Sequence, residues 1–524
     1  MKRSLVLLLV LLLAVSALSA CGNGGGGGGG GETPAAEGGH TEATFIETVE
    51  WKGTDTYQVS SSGNTVRFLV DSLITVDSDG NFCPNICESY SIAEDGSSIS
   101  FVIPEDFKFA DGTPLTPEDV KRSLEYGLET SPYNEDYANI SEIEIDGQTV
   151  ICKLSNWNPA TLYSFSRNMV PILPAAQIDS MSPDELLWAA TPYGAYYLDE
   201  YVEGSHVTLK ANPYYKTNNP GCENKGPATV ETLTLRFITD PFAIANTLAG
   251  DEAIGVYAVD PSGLNDIESK NDKMKVIELQ LNRVYWLMVN ESKEPFADDN
   301  VRKAIALAID RDGICGHDDI LAEPAWIYNS RKSIDFAKEA SDYNEANYSY
   351  NKEEAVRLLE EAGWKDTDGD GILDKDGQKF SVKIGMVTPN ALPTLLQIQL
   401  QEVGIEVEIV SGEDVTTQRS DDTYDMIVQG YGWGDVAGTL PYILIDSNNP
   451  SVDADAYLGT VAEGIQNTEA EPRIKKFAEA QEMLIDSFTM IPLVSQSGLM
   501  IYNTEYMDDD IFFAATYIKP NELK

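Results

Sequence analysis

Histidine is nearly missing from this chain: three residues in 524, at positions 40, 206 and 317. That scarcity excludes most imidazole-based metal sites and acid–base relays. No His-Glu-x-x-His, Gly-x-Ser-x-Gly or Gly-x-x-x-x-Gly-Lys motif occurs, so the common zinc-protease, hydrolase and nucleotide-binding signatures are lacking. Basic residues are also few. Lys and Arg total 36 against 85 Asp and Glu, a formal net charge of −49. Nucleic acid and anionic lipid surfaces are excluded as electrostatic partners, because phosphate binding needs clustered cations. The surplus reads as a solvated acidic surface. Six cysteines (Cys21, Cys83, Cys87, Cys152, Cys222 and Cys315) include no Cys-x-x-Cys, which together with the histidine count removes a zinc cluster. The apolar stretch near the start, residues 5–13, falls short of the roughly 20 needed to span a bilayer. No short-period repeat is present, which excludes solenoids and propellers.

What is there begins with Lys2 and Arg3, the apolar run, and Leu18-Ser19-Ala20-Cys21. A positive start, a short hydrophobic stretch and small residues before a Cys predict a lipoprotein signal peptide over residues 1–20, with Cys21 carrying the lipid. Loss of Lys2 and Arg3 with that leader takes the charge from −49 to −51. Residues 21–43, with near-continuous glycine to Gly31, cannot bury a core and read as a flexible tether. From about Thr44 the chain is globular, in a sequence that is 42% hydrophobic overall. It is long enough to require more than one lobe, since single cores stop growing near roughly 250–300 residues. In an exported protein Cys83 and Cys87 can close a small disulfide loop or stay as buried thiols, and both readings stand.

Helices and strands alternate. Ile99, Phe101 and Ile103 alternate with Ser100 and Val102, a strand with one apolar face that Pro104 ends. Thr116-Pro117-Glu118-Asp119 opens a helix: a capping hydroxyl, a proline suited to the first turn, and two acids for the positive end of the dipole. After Asp298, the residues Val301, Ala304, Ile305, Ala308 and Ile309 form one helical stripe. Asn351 with Glu354 predicts a capping box, with Ala355, Leu358, Leu359 and Ala362 facing the core and Gly363 ending the helix. Strand-like runs fall at 233–237, 275–281, 285–289, 382–386 and 405–410. The mixture predicts an α/β protein with mixed sheets.

The order of these segments resembles the family of extracellular solute-binding proteins serving oligopeptide, dipeptide and nickel importers. The resemblance rests on Phe109-Ala110-Asp111-Gly112-Thr113-Pro114-Leu115-Thr116-Pro117-Glu118-Asp119-Val120, preceded by Glu88-Ser89-Tyr90 and Glu94-Asp95-Gly96. It continues through Pro192-Tyr193-Gly194, Asn212-Pro213-Tyr214-Tyr215, the stretch from Asp298 to Asp310-Arg311, Tyr350 to Trp364, and Tyr424-Asp425 with Gly432-Trp433-Gly434-Asp435. It implies a two-lobed periplasmic-binding-protein-like fold of type II, peptide-binding subclass. Lobe I would comprise 44–88, an inserted subdomain 89–188, 189–283 and a C-terminal return 486–524, with lobe II at 284–485. Crossing strands are expected near 279–290 and 486–495.

The resemblance also implies a function: the binding component of an ABC importer, not an enzyme. It would be a lipid-anchored extracytoplasmic monomer that captures a short peptide by hinge closure and passes it to membrane permease subunits. Asp435, in the Gly-Trp-Gly-Asp stretch with Trp433 and Gly434, is the candidate partner for a peptide ammonium, since a buried charge needs a counter-charge. Here the chain departs from many peptide binders, reading Val436-Ala437-Gly438-Thr439-Leu440-Pro441 where they have a Tyr-x-Asp-Pro-like segment. Trp433, Tyr285 and Trp286 are the candidate cleft aromatics, with core packing favoured more for Tyr285 than for Trp286. Alternatives on the same fold are a nickel chelate, a sugar or another solute, or a peptide-sensing lipoprotein; a hydrolase is the rival from another class.

One acidic segment stands apart. Asp366-Thr367-Asp368-Gly369-Asp370-Gly371-Ile372-Leu373-Asp374 matches the first half of a calcium loop, with Asp366, Asp368, Asp370 and the Ile372 carbonyl as ligands and Asp374 or Asp376 to complete the set. Gly377 occupies the position of the bidentate Glu, so a full EF-hand is excluded. A structural calcium site or a plain Asp/Gly turn are the two readings, and no cofactor is required.

Overall fold

The computed structural model describes residues 40–524, apart from 60–62, 64, 78–79, 133, 135–136, 259–261, 265, 319, 388–389, 421–422, 446–449 and 515–516. The leader, Cys21 and most of the tether lie outside the described residues. No described helix is long and apolar enough to cross a membrane.

Local chemistry sets the elements where the sequence signals are strong. Helix Pro117–Thr130 opens with a full capping box. Thr116 Oγ1 accepts the Asp119 amide at 3.3 Å, and the Asp119 carboxylate accepts the Thr116 amide at 2.8 Å. Helix Asp299–Ala308 is capped by Asp298 and buries Val301, Ala304, Ile305 and Ala308; Ile309, expected as a helical residue, is its extended C-cap. Helix Lys352–Glu361 has Asn351 as its N-cap. The expected capping box is half made: Asn351 accepts the Glu354 amide at 3.0 Å, but the Glu354 carboxylate turns to Arg357 at 2.6 and 2.7 Å. Gly363, at φ +91°, supplies the left-handed residue that stops this helix.

One eleven-stranded mixed sheet runs through the molecule, in the order Glu406–Ser411, Ser381–Met386, Met426–Gly432, Met274–Val289, Met490–Asn503, Gly255–Ala258, Glu42–Glu47, Thr232–Phe237, His206–Ala211, Tyr196–Val202, with Ala322–Pro324 added beside Met490–Asn503. A separate antiparallel sheet is ordered Ser89–Ile92, Ser98–Val102, Thr149–Leu154, Ile140–Asp146. In its strand Ser98–Val102, Ile99 and Phe101 are fully buried while Ser98 and Ser100 are half-buried, as the alternation predicts.

Two long strands carry the chain between the lobes. Met274–Val289 and Met490–Asn503 pair antiparallel from Met274↔Asn503 to Met288↔Met490. At one end Gly255–Ala258 pairs with residues 499–502. At the other, Met426–Gly432 pairs with residues 283–289. The packing divides at the same place. One core gathers Phe45, Phe68, Phe101, Val150, Phe165 and Leu233, and another Ile46, Leu248 and Val256. The remaining two are built from the middle of the chain, one around Val301, Ile305, Leu359 and Ile384, the other around Trp286, Tyr328, Leu440 and Phe477. Separate cores joined by two strands make the two-lobed architecture.

Two boundaries differ from the sequence reading. The runs 275–281 and 285–289 are one continuous strand whose register against its partner shifts between Gln280 and Val284. The second crossing starts at Met490, because helix Ala470–Ser487 keeps burying Leu484, Ile485 and Ser487 until Phe488 ends it at φ +54°. Cys83, Cys87, Cys152, Cys222 and Cys315 are all free thiols.

Candidate functional site

Strand Met426–Gly432 leaves the second-lobe sheet and delivers the chain to Trp433, Gly434 and Asp435. Asp435 is 2% exposed. It precedes helix Val436–Ile445, and its Oδ1 accepts the Gly438 amide at 2.6 Å, an N-cap that also favours the anionic carboxylate through the helix dipole. Gly438 has no side chain to spare: a Cβ there would lie 2.3 Å from Trp433 Nε1 and 3.1 Å from Asp435 Oδ2. The three candidate residues are thus held as one compact turn. Tyr431 stacks on Trp433 with ring centroids 6.2 Å apart, extending the aromatic wall.

The first lobe meets this turn directly. Tyr163, from helix Pro159–Ser164, places its hydroxyl so close to Gly434 that a Cβ there would be 1.8 Å away. Only glycine permits that approach. The Arg167 guanidinium lies 4.6 Å from the centre of the Trp433 ring and 5.6 Å from that of Tyr163, a cation between two aromatic faces. The seam between the lobes therefore brings together a buried carboxylate, a guanidinium and three aromatic rings. Charged and aromatic groups that converge in this way are the usual lining of a small-molecule site.

Sequence similarity decides the family. The pattern of the bacterial extracellular solute-binding proteins, family 5 Middle, matches residues 81–451. This chain belongs to that family. Among family 5 relatives, it is 28% identical over 397 residues to the oligopeptide-binding protein AppA of Bacillus subtilis (strain 168), a match covering 72% of this chain and 70% of AppA. The structure of AppA in complex with a nonapeptide superposes with a TM-score of 0.65, at 21% identity, over 92% of this chain and 99% of that one. NikA from Brucella suis in complex with Fe(III)-EDTA superposes with a TM-score of 0.78, at 20% identity, over 92% and 99%. These superpositions bear on the fold.

Within this family 5 chain the two remaining candidate aromatics both pack against second-lobe cores, Trp286 in one and Tyr285 against the other. Trp286 is 3% exposed inside a second-lobe core, edge-on to Tyr328 at 6.2 Å. It packs the core and offers no cleft surface. Tyr285 is the half-buried member of the pair, its ring lying where a Cβ on Gly430 would be, 2.4 Å from Cε1. Alternation sends the two side chains to opposite faces of the strand, and only the covering helices decide which face is sealed. Tyr163 and Arg167 were missed by the sequence reading, because no spacing relates 163–167 to 433–435 before the lobes are folded.

The aspartate segment folds as a tight exposed turn. Oxygens of Asp366, Asp368 and Asp374 lie within 4.8 Å of one another, and Asp370 is not in that group. Lys379 pairs with Asp368 and Asp370 at 2.8 Å each. Asp366 accepts the Gly369 and Gly371 amides, Asp370 accepts the Ile372 amide, and Asp374 accepts from Thr367. These hydrogen bonds and Lys379 hold the Asp370 and Asp374 carboxylates below the usual range. Asp366, Asp368 and Asp374 thus stand close enough to share one cation, while Asp370, expected as a ligand with them, is turned to Lys379 and lies outside that group.

Proposed function

We propose that this family 5 protein is the substrate-binding component of an ABC importer that captures short peptides between its lobes and delivers them to membrane permease subunits. The observation carrying this reading is the seam itself. Gly434 and Trp433 of one lobe meet Tyr163 and Arg167 of the other, with Asp435 next in the same turn, so a guest lying there touches both halves and stabilises the shut form. Asp435 pairs with the peptide ammonium, while Trp433 presents aromatic surface to the rest of the guest. Main-chain pairing along strand edges supplies affinity without demanding particular side chains, and water fills the remaining polar contacts. The name of AppA as an oligopeptide-binding protein and its nonapeptide complex support peptide as the cargo class.

In this reading the protein is extracytoplasmic, monomeric and held to the membrane through lipid on Cys21, with 21–43 as tether. It binds no nucleic acid, performs no catalysis and needs no cofactor; the aspartate segment is a charge-paired turn. The inserted subdomain spans 89–188 and the C-terminal segment returns to lobe I.

A second reading has one specific support. NikA was solved with Fe(III)-EDTA, and Arg167 offers this seam a cation suited to a carboxylate-rich chelate. Mass spectrometry of whatever the purified, then denatured, protein releases separates the two. Peptides in the extract are the expected result. A metal chelate, or an extract empty across several growth media, would overturn peptide as the cargo.

A further inference from the structure

One short stretch of the first lobe touches the second lobe at two places. Trp157 and Phe165, buried in the first-lobe core, bracket the segment that carries Tyr163. At one end Trp157 Nε1 donates to the Asn467 carbonyl at 3.1 Å, and a Cβ on nearby Gly96 would lie 3.2 Å from Thr468 Cγ2. At the other end Tyr163 and Arg167 meet Gly434 and Trp433.

These two second-lobe contact points are distant in sequence, yet one ion pair joins them. Arg473 binds Asp335 through two hydrogen bonds of 2.6 and 2.9 Å, with the side chains 9% and 4% exposed. The third guanidinium nitrogen, Nη1, donates to the carbonyls of Asn467 and Thr468 at 3.0 Å each. On the other side, the residues before Asp335 run alongside the candidate cargo turn. The Ile334 amide donates to the Gly434 carbonyl at 2.8 Å, and the Val436 amide to the Ile334 carbonyl at 3.1 Å. The Ser333 hydroxyl donates to the Trp433 carbonyl at 3.4 Å. Asp335 itself sits at φ +63°, a left-handed conformation that a non-glycine residue keeps only where its surroundings impose it. A buried two-pronged Arg–carboxylate pair imposes one geometry.

We propose that Asp335 and Arg473 are positioning residues for cargo capture: their ion pair makes the 433–435 turn and the Asn467 carbonyl one rigid unit, so closure over cargo at the turn engages Trp157 in the same step. This deepens the hinge-closure reading and rests on it. Neither residue touches the cargo. The pair passes the position of the turn to a latch on the far side of the seam, and the latch sets how long the shut form lasts.

The test uses the mature full chain, captured through its tether, and a panel of synthetic pentapeptides with free termini; association and dissociation rates are read separately. Trp157→Phe keeps the aromatic packing and removes the donor. Its dissociation rate should rise about five-fold, the value of one net hydrogen bond, with the association rate unchanged. Arg473→Lys should raise the dissociation rate as well, and the double variant should be no faster than the quicker single one, because both act on the same latch. A role confined to stability would lower the melting temperature and leave dissociation alone. Unchanged dissociation in both folded single variants, or additive effects in the double one, would overturn the proposal. If Trp157→Phe does not fold, Asp335→Asn combined with Arg473→Lys gives the same readout. Wild-type protein that binds none of the peptides sinks the peptide-capture reading itself, and the latch with it.

Discussion

Asp435 does two jobs that one substitution can separate. Its carboxylate caps helix Val436–Ile445 through Gly438 and stands in the proposed cargo seam. Asp435→Asn keeps an oxygen for the Gly438 amide and removes only the charge. Peptides with a free amino terminus should then bind at least about ten-fold more weakly, the value of a charge-assisted hydrogen bond, while N-acetylated peptides are unaffected. Calorimetric titration of both peptide forms checks this, and equal losses remove Asp435 as the ammonium partner. The Gly-Trp-Gly-Asp stretch was legible through its resemblance to the family's loop; the structure adds that Gly434 admits the Tyr163 hydroxyl and that Gly438, just beyond the stretch, admits the Trp433 indole. Trp286 was not legible. Its identity suits a cleft or a core equally, and the choice belongs to Tyr328 and the helices that cover that face.

Elements were read well where a short-range hydrogen bond decides them. Thr116 with Asp119, Asp298 with Asn300 and Asn351 with Glu354 are contacts within three residues, so the sequence states them almost directly. Reading fails when a second partner competes at the same range. Glu354 prefers the guanidinium of Arg357 to the Asn351 amide, since a charged two-point contact outweighs a single backbone donor. In the aspartate segment the competing partner is Lys379, eleven residues beyond Asp368: it also takes Asp370, which lies outside the group that Asp366, Asp368 and Asp374 form. Added calcium or chelator should accordingly leave the melting temperature unchanged. A calcium-dependent rise of several degrees in a thermal scan would restore the metal site. Lys379 and its partners are exposed, so the pairs themselves add little to stability.

At the scale of the molecule, function lies in the relation between lobes. Met274–Val289 and Met490–Asn503 connect them, and the register shift between Gln280 and Val284 breaks regular pairing between the two ends. A local loss of ladder hydrogen bonds is where a strand pair bends most easily. Small-angle scattering should show a smaller radius of gyration for peptide-saturated protein than for ligand-stripped protein. Identical profiles for the two would remove hinge closure as the mechanism. The acidic surface opposes no part of this, since the proposed seam carries its own cation, Arg167.

By itself the sequence determined the α/β alternation, the helix starts and the need for more than one lobe, because periodicity, capping and length act over a few residues or over the whole chain at once, and its ordered motifs carried the resemblance to the family. It also marked the 433–435 turn. Tertiary structure alone decided what faces that turn. Tyr163 and Arg167 reach it across some 270 residues, and Arg473 ties Asp335 to the Asn467 carbonyl. Contacts at such separation leave no local pattern: each partner is an ordinary Tyr, Arg or Asp until folding sets the two lobes against one another.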